Sequence, residues 1–152
     1  MRAVIQRVST ASVTVNAVVV ASIQEGLLVL VGIEDADTNE DIQWLSSKIV
    51  GLRIFNDADG IPNLSLKDIG GNLLLVSQFT LHAAVQKGNR PSYSKASKAS
   101  VAMPIYEALV KTFETALNHP IQTGVFGAAM NVSLENNGPL TIMLDTKHKA
   151  LF

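Results

Sequence analysis

The feature that most limits the fold is a short, uninterrupted apolar run between glycines. Residues Gly26 to Ile33 read GLLVLVGI and contain no polar side chain. A strand that faces water on one side alternates apolar and polar residues, whereas a strand buried on both faces does not. The run is also far shorter than the roughly 20 residues that a membrane-spanning helix needs. The sequence therefore predicts a central strand covered on both faces.

The composition agrees with one compact domain over residues 1–152. Residues 146–152 form a tail for which the sequence predicts no defined structure. Of 152 residues, 47% are hydrophobic and 16% are charged, which is typical of a chain that buries a single core. The absence of cysteine excludes disulfides, thiolate nucleophiles and zinc–thiolate sites. The first residues lack the pattern of a secretory signal, so we expect a cytoplasmic protein.

Periodic patterns predict the other elements. One helix follows a Thr38 cap, and a second runs from about Pro104, a good first-turn residue, to Leu117. Strand patterns occupy residues 2–8, 12–20, 52–55, 72–81, 130–135 and 140–144. Together these predict a mixed α/β fold, in which mainly antiparallel strands form a sheet or partial barrel covered by two helices.

A basic, irregular segment lies between the predicted strand 72–81 and the second helix. Residues 82–99 are rich in Gly, Ser, Asn and Pro, and no acidic residue occurs between Asp68 and Glu107. The net charge of −1 argues against general affinity for nucleic acid, but a local basic patch can still contact phosphates. A solvated, flexible connection is the alternative. The cations of this segment are Lys87, Arg90, Lys95 and Lys98.

Several catalytic signatures are missing. The chain has no glycine-rich phosphate loop and no Gly-x-Ser-x-Gly elbow. His82, His119 and His148 are scattered, so we expect no metal site and no cofactor. A triad of Ser77, His82 and Asp145 has no support in their spacing.

Two short segments are the candidates for a functional site instead. Ser77-Gln78-Phe79-Thr80 is the polar end of an apolar strand, where side chains and amides can face a pocket, although ordinary sheet residues are the alternative. Gly138-Pro139 interrupts the pattern between the last two predicted strands. X–Pro bonds are the ones that adopt the cis form, and a plain trans turn between strands is the commoner case. A Gly–Pro turn with its carbonyls exposed is able to hold an ammonium group.

These segments closely resemble the D-aminoacyl-tRNA deacylase family, and the likeness runs from Met1 to about Asp145. The resemblance departs from the family pattern at Asn16-Ala17, at Pro62 and at Leu140, which flanks the Gly–Pro pair. The segments that carry it are 1–8, 77–81, 87–92, 123–128 and 137–141.

The resemblance implies a homodimer that hydrolyses the ester between a D-amino acid and the 3′ end of tRNA. It also implies activity on glycyl-tRNA mischarged on an alanine tRNA. The Gly138–Pro139 pair is expected to be cis and to enter the partner's site, where its carbonyls hold the ammonium and leave no room for an L side chain. Arg7 resembles the residue that braces this turn. Apart from tRNA and a second copy we expect no DNA, membrane or cofactor partner.

By the same resemblance, Ser77, Gln78 and Phe79 position the substrate and stabilise the oxyanion. Thr80 lacks a neighbouring general base, so hydrolysis assisted by the ribose 2′-OH of tRNA is favoured over a covalent acyl-threonine.

Phe126 and Met130 are expected to form an apolar wall for the terminal adenine. Lys87 and Arg90, with Lys95 and Lys98, would contact phosphates. Two other functions stay open: an esterase or amidase that uses Thr80 on free D-amino-acid derivatives, and a non-catalytic RNA-binding barrel.

Overall fold

The computed structural model describes residues 1–151. The elements in chain order are β1 (Arg2–Val15), β2 (Val18–Ile23), β3 (Gly26–Gly32), α1 (Asn39–Gly51), β4 (Phe55–Asn56), β5 (Pro62–Leu64), β6 (Asn72–Ser77), a 3₁₀ turn (Phe79–His82), α2 (Ala99–Leu117), β7 (Gln122–Thr123), β8 (Asn131–Asp145) and a final 3₁₀ turn (Lys149–Leu151).

The apolar run forms β3 at the middle of the sheet, as predicted. Strand β3 pairs antiparallel with β1 and parallel with β6, from Gly26 beside Asn72 to Val31 beside Ser77. Six of its seven residues are buried, because the sheet neighbours cover its edges and apolar layers cover both faces. The C-terminal ends of β3 and β6 therefore lie side by side in a rigid part of the molecule.

Strand β1 organises the rest of the sheet. Along one edge it pairs with β3 and then with β2, and along the other it pairs with β8 for almost its whole length. The sheet order is β2-β1-β3-β6-β7, with β8 beside β1. Strand β2 curls over to contact β6 and β7, so the sheet is a nearly closed barrel. The expectation of a mixed α/β fold with two helices is confirmed.

Two apolar clusters fill the two sides of the central strands. On one side, α1 and α2 pack against β3 and β6 around Leu27, Leu45 and Phe113, all with no exposed surface. On the other side, the curled strands enclose a smaller cluster that includes Val13 and Leu74. The pleat sends successive side chains to opposite faces, which is why neighbouring leucines of β6 enter different clusters.

The first helix begins where predicted, and the second begins earlier. At the start of α1 the main-chain amide of Thr38 donates to Asp41 at 2.8 Å. Helix α2 starts at Ala99, so Pro104 lies inside it and not in its first turn. Pro104 removes one amide from the helix, but the buried side chains of Ala102 and Tyr106 hold the early turns against the core. Helix α2 ends at Asn118, in the left-handed conformation, just before His119-Pro120.

Three strand predictions were wrong in their limits. Strand β1 does not stop at Ser9-Thr10, because a register shift absorbs these residues, and the chain turns at Asn16-Ala17, where both φ angles are positive. The strand predicted at 72–81 leaves the sheet after Ser77 and becomes a 3₁₀ turn. The 52–55 strand is reduced to β4, which forms a two-stranded sheet with β5.

The predicted strands 130–135 and 140–144 are two halves of one strand. Both halves of β8 pair antiparallel with β1, so residues 136–139 do not reverse the chain. The register jumps from Gln6 beside Thr141 to Val8 beside Asn136, which leaves residues 137–140 as a bulge opposite Arg7. Among residues 1–151, no helix is long and apolar enough to cross a membrane.

Candidate active site

A small apolar cavity opens where β3 and β6 end and α2 begins. Its volume is about 180 Å³. The strand ends are fixed by the buried parallel pair, and Ala99 and Ala102 leave space because their side chains are short. The predicted residues Ser77, Gln78, Phe79 and Phe126 all line the cavity, together with Val31, Ile33, Ser97, Ala99, Ala102 and Gly127.

The turn over residues 79–82 carries unpaired amides beside this cavity, which Phe79 lines and Thr80 does not. The amide of Gln78 still donates to Val31 at 2.7 Å, which is the last sheet contact of this segment. The amides of Phe79 and Thr80 follow at the start of the turn, where a 3₁₀ helix has no acceptor for them, and none is present among residues 1–151. The side-chain amide of Gln78 donates to the hydroxyl of Thr80.

Aromatic rings border the cavity on two sides. The Phe79 ring is 56% exposed and meets Tyr93 edge-on, with 5.1 Å between ring centroids. Phe126 packs on Tyr106 at 5.6 Å. The Tyr106 hydroxyl donates to the carbonyl of Leu75 at 2.8 Å, and burial raises the pKa of this phenol above its usual value. The Phe126 ring is therefore supported by α2 and β6, whereas Phe79 meets a ring of the irregular segment.

Met130 is placed away from this wall. Its side chain packs against the smaller cluster inside the curled sheet and is absent from the cavity lining. Of the two residues predicted to form an apolar wall, Phe126 therefore lines the cavity and Met130 does not.

The bulge of β8 presents main-chain groups to solvent. Asn137, Gly138 and Pro139 are exposed, and the Gly138–Pro139 bond is cis. The Arg7 guanidinium donates from Nε to the carbonyl of Asn137 at 3.1 Å and from Nη1 to the carbonyl of Ile54. A Cβ at Gly138 would meet Nη2 of Arg7 at 2.8 Å, so the bulge and the guanidinium fit together closely. The predicted contact between Arg7 and this segment is present.

The bulge and the cavity lie at opposite ends of β3. Arg7, which faces the bulge, pairs with Leu27, whereas the cavity begins at Val31. Four strand residues separate these levels by about 13 Å, at ~3.3 Å per residue. Within one chain, the structure therefore does not bring Gly138 and Pro139 together with residues 77–80.

The basic segment is exposed. It is held by an isolated bridge between Ala84 and Ser92 and by Ser97, whose amide donates to Ile33 at 3.0 Å. No carboxylate among residues 1–151 lies within 4.0 Å of its cationic groups. These groups, which are free to meet phosphates, belong to Lys87, Arg90, Lys95 and Lys98.

The sequence interpretation missed two parts of the site. Tyr93 supports Phe79 but lies in a segment without periodicity. Ala99 was placed in the irregular segment and Ala102 lay before the predicted start of the helix, although the spacing of Ala102, Tyr106 and Leu109 extends the helical pattern back beyond Pro104. No group of three potential metal ligands occurs among the described residues.

Comparison with known proteins decides the family. The sequence profile described as D-Tyr-tRNA(Tyr) deacylase matches residues 4–145. This chain belongs to that family. The expected resemblance is confirmed.

Similar proteins cover nearly the whole chain. A protein named D-aminoacyl-tRNA deacylase from Flavobacterium psychrophilum is 60% identical over 98% of this chain and 99% of its own length. One of the same name from Phocaeicola vulgatus is 54% identical over 98% and 99%. A solved structure named c-Myc DNA Unwinding Element Binding Protein has a TM-score of 0.90 and 38% identity, covering 95% of this chain and 98% of its own. The deacylase fold therefore extends over the described site.

Proposed function

We propose that this protein removes D-amino acids from tRNA at a site that a second copy of the chain completes. The protein is a D-aminoacyl-tRNA deacylase, an ester hydrolase. The observation that carries the second part is the separation of its two functional segments: a mainly apolar cavity whose lining holds no carboxylate, and an exposed bulge braced by Arg7. A two-fold dimer unites the two, since each protomer can supply its bulge to the partner's cavity.

In this scheme the reaction is a hydrolysis at the ester carbonyl carbon. Water adds to that carbon, the bond to the ribose 3′ oxygen breaks, and the oxygen takes a proton, which yields a free amino acid and tRNA. The unpaired amides of Phe79 and Thr80 support an oxyanion role for this turn. One such donor contributes roughly 3 kcal/mol to transition-state stabilisation.

The surroundings of Thr80 favour tRNA-assisted hydrolysis over a threonine nucleophile. Among residues 1–151, the hydrogen-bond partner of its hydroxyl is the amide of Gln78, which is not a base. A threonine nucleophile needs a base to take its proton. The 2′-OH next to the ester is both donor and acceptor and orients water without a protein base.

Chiral selection is assigned to the Gly138–Pro139 bulge of the partner. Gly138 and Pro139 are exposed and Gly138 has no side chain, so their carbonyls are assigned to the α-ammonium of the substrate. A substituent on the L side of the α-carbon would then meet main chain, whereas a D side chain would point to solvent. Glycine has no side chain to exclude, which is why glycyl-tRNA mischarged on an alanine tRNA is expected to react.

The 3′ end of tRNA is assigned to the aromatic edge of the cavity and to the basic segment. Phe79 and Phe126 offer rings for the terminal adenine, since stacking on aromatic side chains is the usual means of holding an unpaired base. Lys87 and Arg90 are free to contact the phosphates behind it. We expect the protein to work in the cytoplasm, where aminoacyl-tRNA meets the ribosome.

The deciding experiment compares release of tyrosine from D-tyrosyl-tRNA and L-tyrosyl-tRNA by the purified protein. The expected result is hydrolysis of the D ester at least about 100-fold faster than of the L ester, because steric exclusion misplaces the L ester. Equal rates would overturn chiral selection. Binding of tRNA without any release would instead support the non-catalytic RNA-binding barrel.

A Thr80→Ala variant separates tRNA-assisted hydrolysis from the esterase alternative. The proposal expects its rate on D-tyrosyl-tRNA to stay within about threefold of the unmodified protein, since no covalent step passes through Thr80. Loss of more than about 1,000-fold, together with turnover of free D-tyrosine esters by the unmodified protein, would establish the threonine esterase.

A further inference from the structure

Strand β1 carries two arginines whose guanidinium groups donate to main-chain carbonyls of functional segments. Arg7 donates to the bulge of β8, as described above. Arg2, at the beginning of the same strand, donates from Nη1 to the carbonyl of Leu81 at 3.0 Å. Leu81 belongs to the 79–82 turn that borders the cavity. The two contacts are alike in chemistry, but neither the sequence patterns nor the proposed function gives Arg2 a role.

The guanidinium of Arg2 is held in place by a buried carboxylate. Its Nε donates to Asp145 at 3.0 Å, and the two residues are direct partners in the β1–β8 ladder. Although burial of Asp145 opposes ionisation, hydrogen bonds from the Lys147 amide, Arg2 and His148 lower the pKa of this carboxyl below its usual value. The fork geometry of arginine lets one side chain serve a carboxylate and a carbonyl at once, which a lysine ammonium does less well.

The turn that Arg2 contacts has few other supports. It is a single 3₁₀ turn of four residues, and the carbonyls at the end of such a turn have no partner within it. On one side it lies on Gly32, where an added Cβ would come within 2.9 Å of the His82 ring and within 3.0 Å of Leu81. Gly32 is also the β3 partner of Arg2 in the sheet. Apart from its own hydrogen bonds and the buried His82, the turn is therefore held between a glycine surface and one guanidinium.

We infer that Arg2 is a positioning residue for deacylation: by holding the Leu81 carbonyl it sets where the Phe79 and Thr80 amides stand beside the cavity. This rests on the proposed function for its catalytic consequence, but the contact itself does not. Arg2 does not line the cavity, so it acts through the main chain of the turn. Removing it is expected to lower kcat more than it changes KM, because misaligned amides lose transition-state contacts and ground-state binding depends on the rings.

The test compares Arg2→Lys with Arg53→Lys. Arg53 is a matched control because its guanidinium also donates to a main-chain carbonyl, that of Asn63 at 2.8 Å, and lines neither the cavity nor the bulge. Arg2→Lys is expected to lower kcat on D-tyrosyl-tRNA by between about 10- and 100-fold with KM within about twofold, and Arg53→Lys to leave both unchanged. A third variant, Arg2→Ala, removes the guanidinium group altogether. Added guanidinium ion is expected to restore part of its kcat on D-tyrosyl-tRNA.

A second readout follows hydrogen exchange of the peptide spanning residues 77–83. Exchange is expected to be faster in Arg2→Lys and unchanged in Arg53→Lys, because the turn loses its outer support. Asp145→Asn keeps Arg2 but removes the charge that orients it, so exchange of this peptide should also be faster, by a smaller factor. This variant replaces Arg2→Lys in the test if Arg2→Lys folds poorly.

Unchanged exchange and unchanged kcat in Arg2→Lys would overturn the inference. A loss of activity that matches only a loss of folded protein, without guanidinium rescue, would also overturn it. If the unmodified protein released no D-tyrosine, the proposed function would fail, while the exchange experiment would still decide whether Arg2 holds the turn.

Discussion

Strands β3 and β8 belong to one sheet but have opposite characters. Strand β3 has seven residues, of which six are buried, and it has a neighbouring strand on each edge. Strand β8 has 15 residues, is exposed for much of its length, and among residues 1–151 pairs only with β1. Burial on both faces holds β3 in one register, whereas the exposed strand can accommodate a four-residue bulge without disturbing a core.

The difference shows where this fold places the two segments of the proposed site. The cavity lies where the buried pair β3 and β6 ends, so its floor is fixed by packing. The bulge lies in the middle of an exposed strand, so a side chain must hold it, and Arg7 provides that contact. Strand β1 adjoins both strands, and it is the element that supplies guanidinium groups to the segments on either side.

Matched leucine truncations test this contrast most strongly. Leu27 in β3 has no exposed surface, whereas Leu134 in β8 is 38% exposed. Leu27→Ala is expected to lower the free energy of unfolding by about 2–5 kcal/mol, because it leaves a cavity in the helix-side core. Leu134→Ala should cost less than about 1 kcal/mol. Urea unfolding of both variants provides the measurement, and equal costs would show that β8 is covered in solution as thoroughly as β3.

The bulge itself is tested by Gly138→Ala. At φ of +127° and with Arg7 within 2.8 Å of an added Cβ, an alanine must displace the main chain or the guanidinium. Activity on D-tyrosyl-tRNA is expected to fall at least about 100-fold, since misplacing a binding group by about 1 Å costs that much. Gly60→Ala is the control, because Gly60 also has a positive φ of +77° but has open space around it. Full activity of the Gly138→Ala variant would show that the bulge is not part of the active site.

The smallest effect is expected from the basic segment. Replacing Lys87 and Arg90 together by Gln should weaken tRNA binding by about tenfold at moderate salt and reduce the salt slope by about 2, with no change in the preference for the D ester. Lys67 and Lys111, replaced in the same way, are a control for net charge away from the cavity. Binding measured across salt concentrations checks this, and duplex DNA as a competitor tests the expectation that DNA is not a partner. If the salt dependence of tRNA binding stayed unchanged, Lys87 and Arg90 would not contact phosphates.

Local patterns predicted the parts of the fold that local physics determines. The apolar run of β3 and the Thr38 start of α1 are visible because burial on both faces and helix capping leave direct marks on the sequence. The bulge was misread because Asn137, Gly138 and Pro139 are typical of a chain reversal, whereas their actual conformation depends on pairing with a strand 130 residues away.

The site was predicted in parts but not as an arrangement. Ser77 to Phe79 and Phe126 could be selected by residue type and by resemblance, and they do meet at one cavity. The 3₁₀ turn was missed because Phe79, Thr80 and Leu81 favour strands, and the space that Gly32 leaves beneath them is a tertiary feature. The contact of Arg2 with Leu81 likewise depends on how β1 and β6 are placed by the fold.

The most direct test of a site shared between two copies is subunit complementation. Gly138→Ala removes the bulge, and Ala99→Trp fills the cavity mouth from an exposed position. Each variant alone is expected to keep less than about a hundredth of the activity. A heterodimer of the two, purified through different tags, contains one intact pairing of cavity and bulge, so it should recover about half of the unmodified activity. A heterodimer as inactive as its parents would contradict the account.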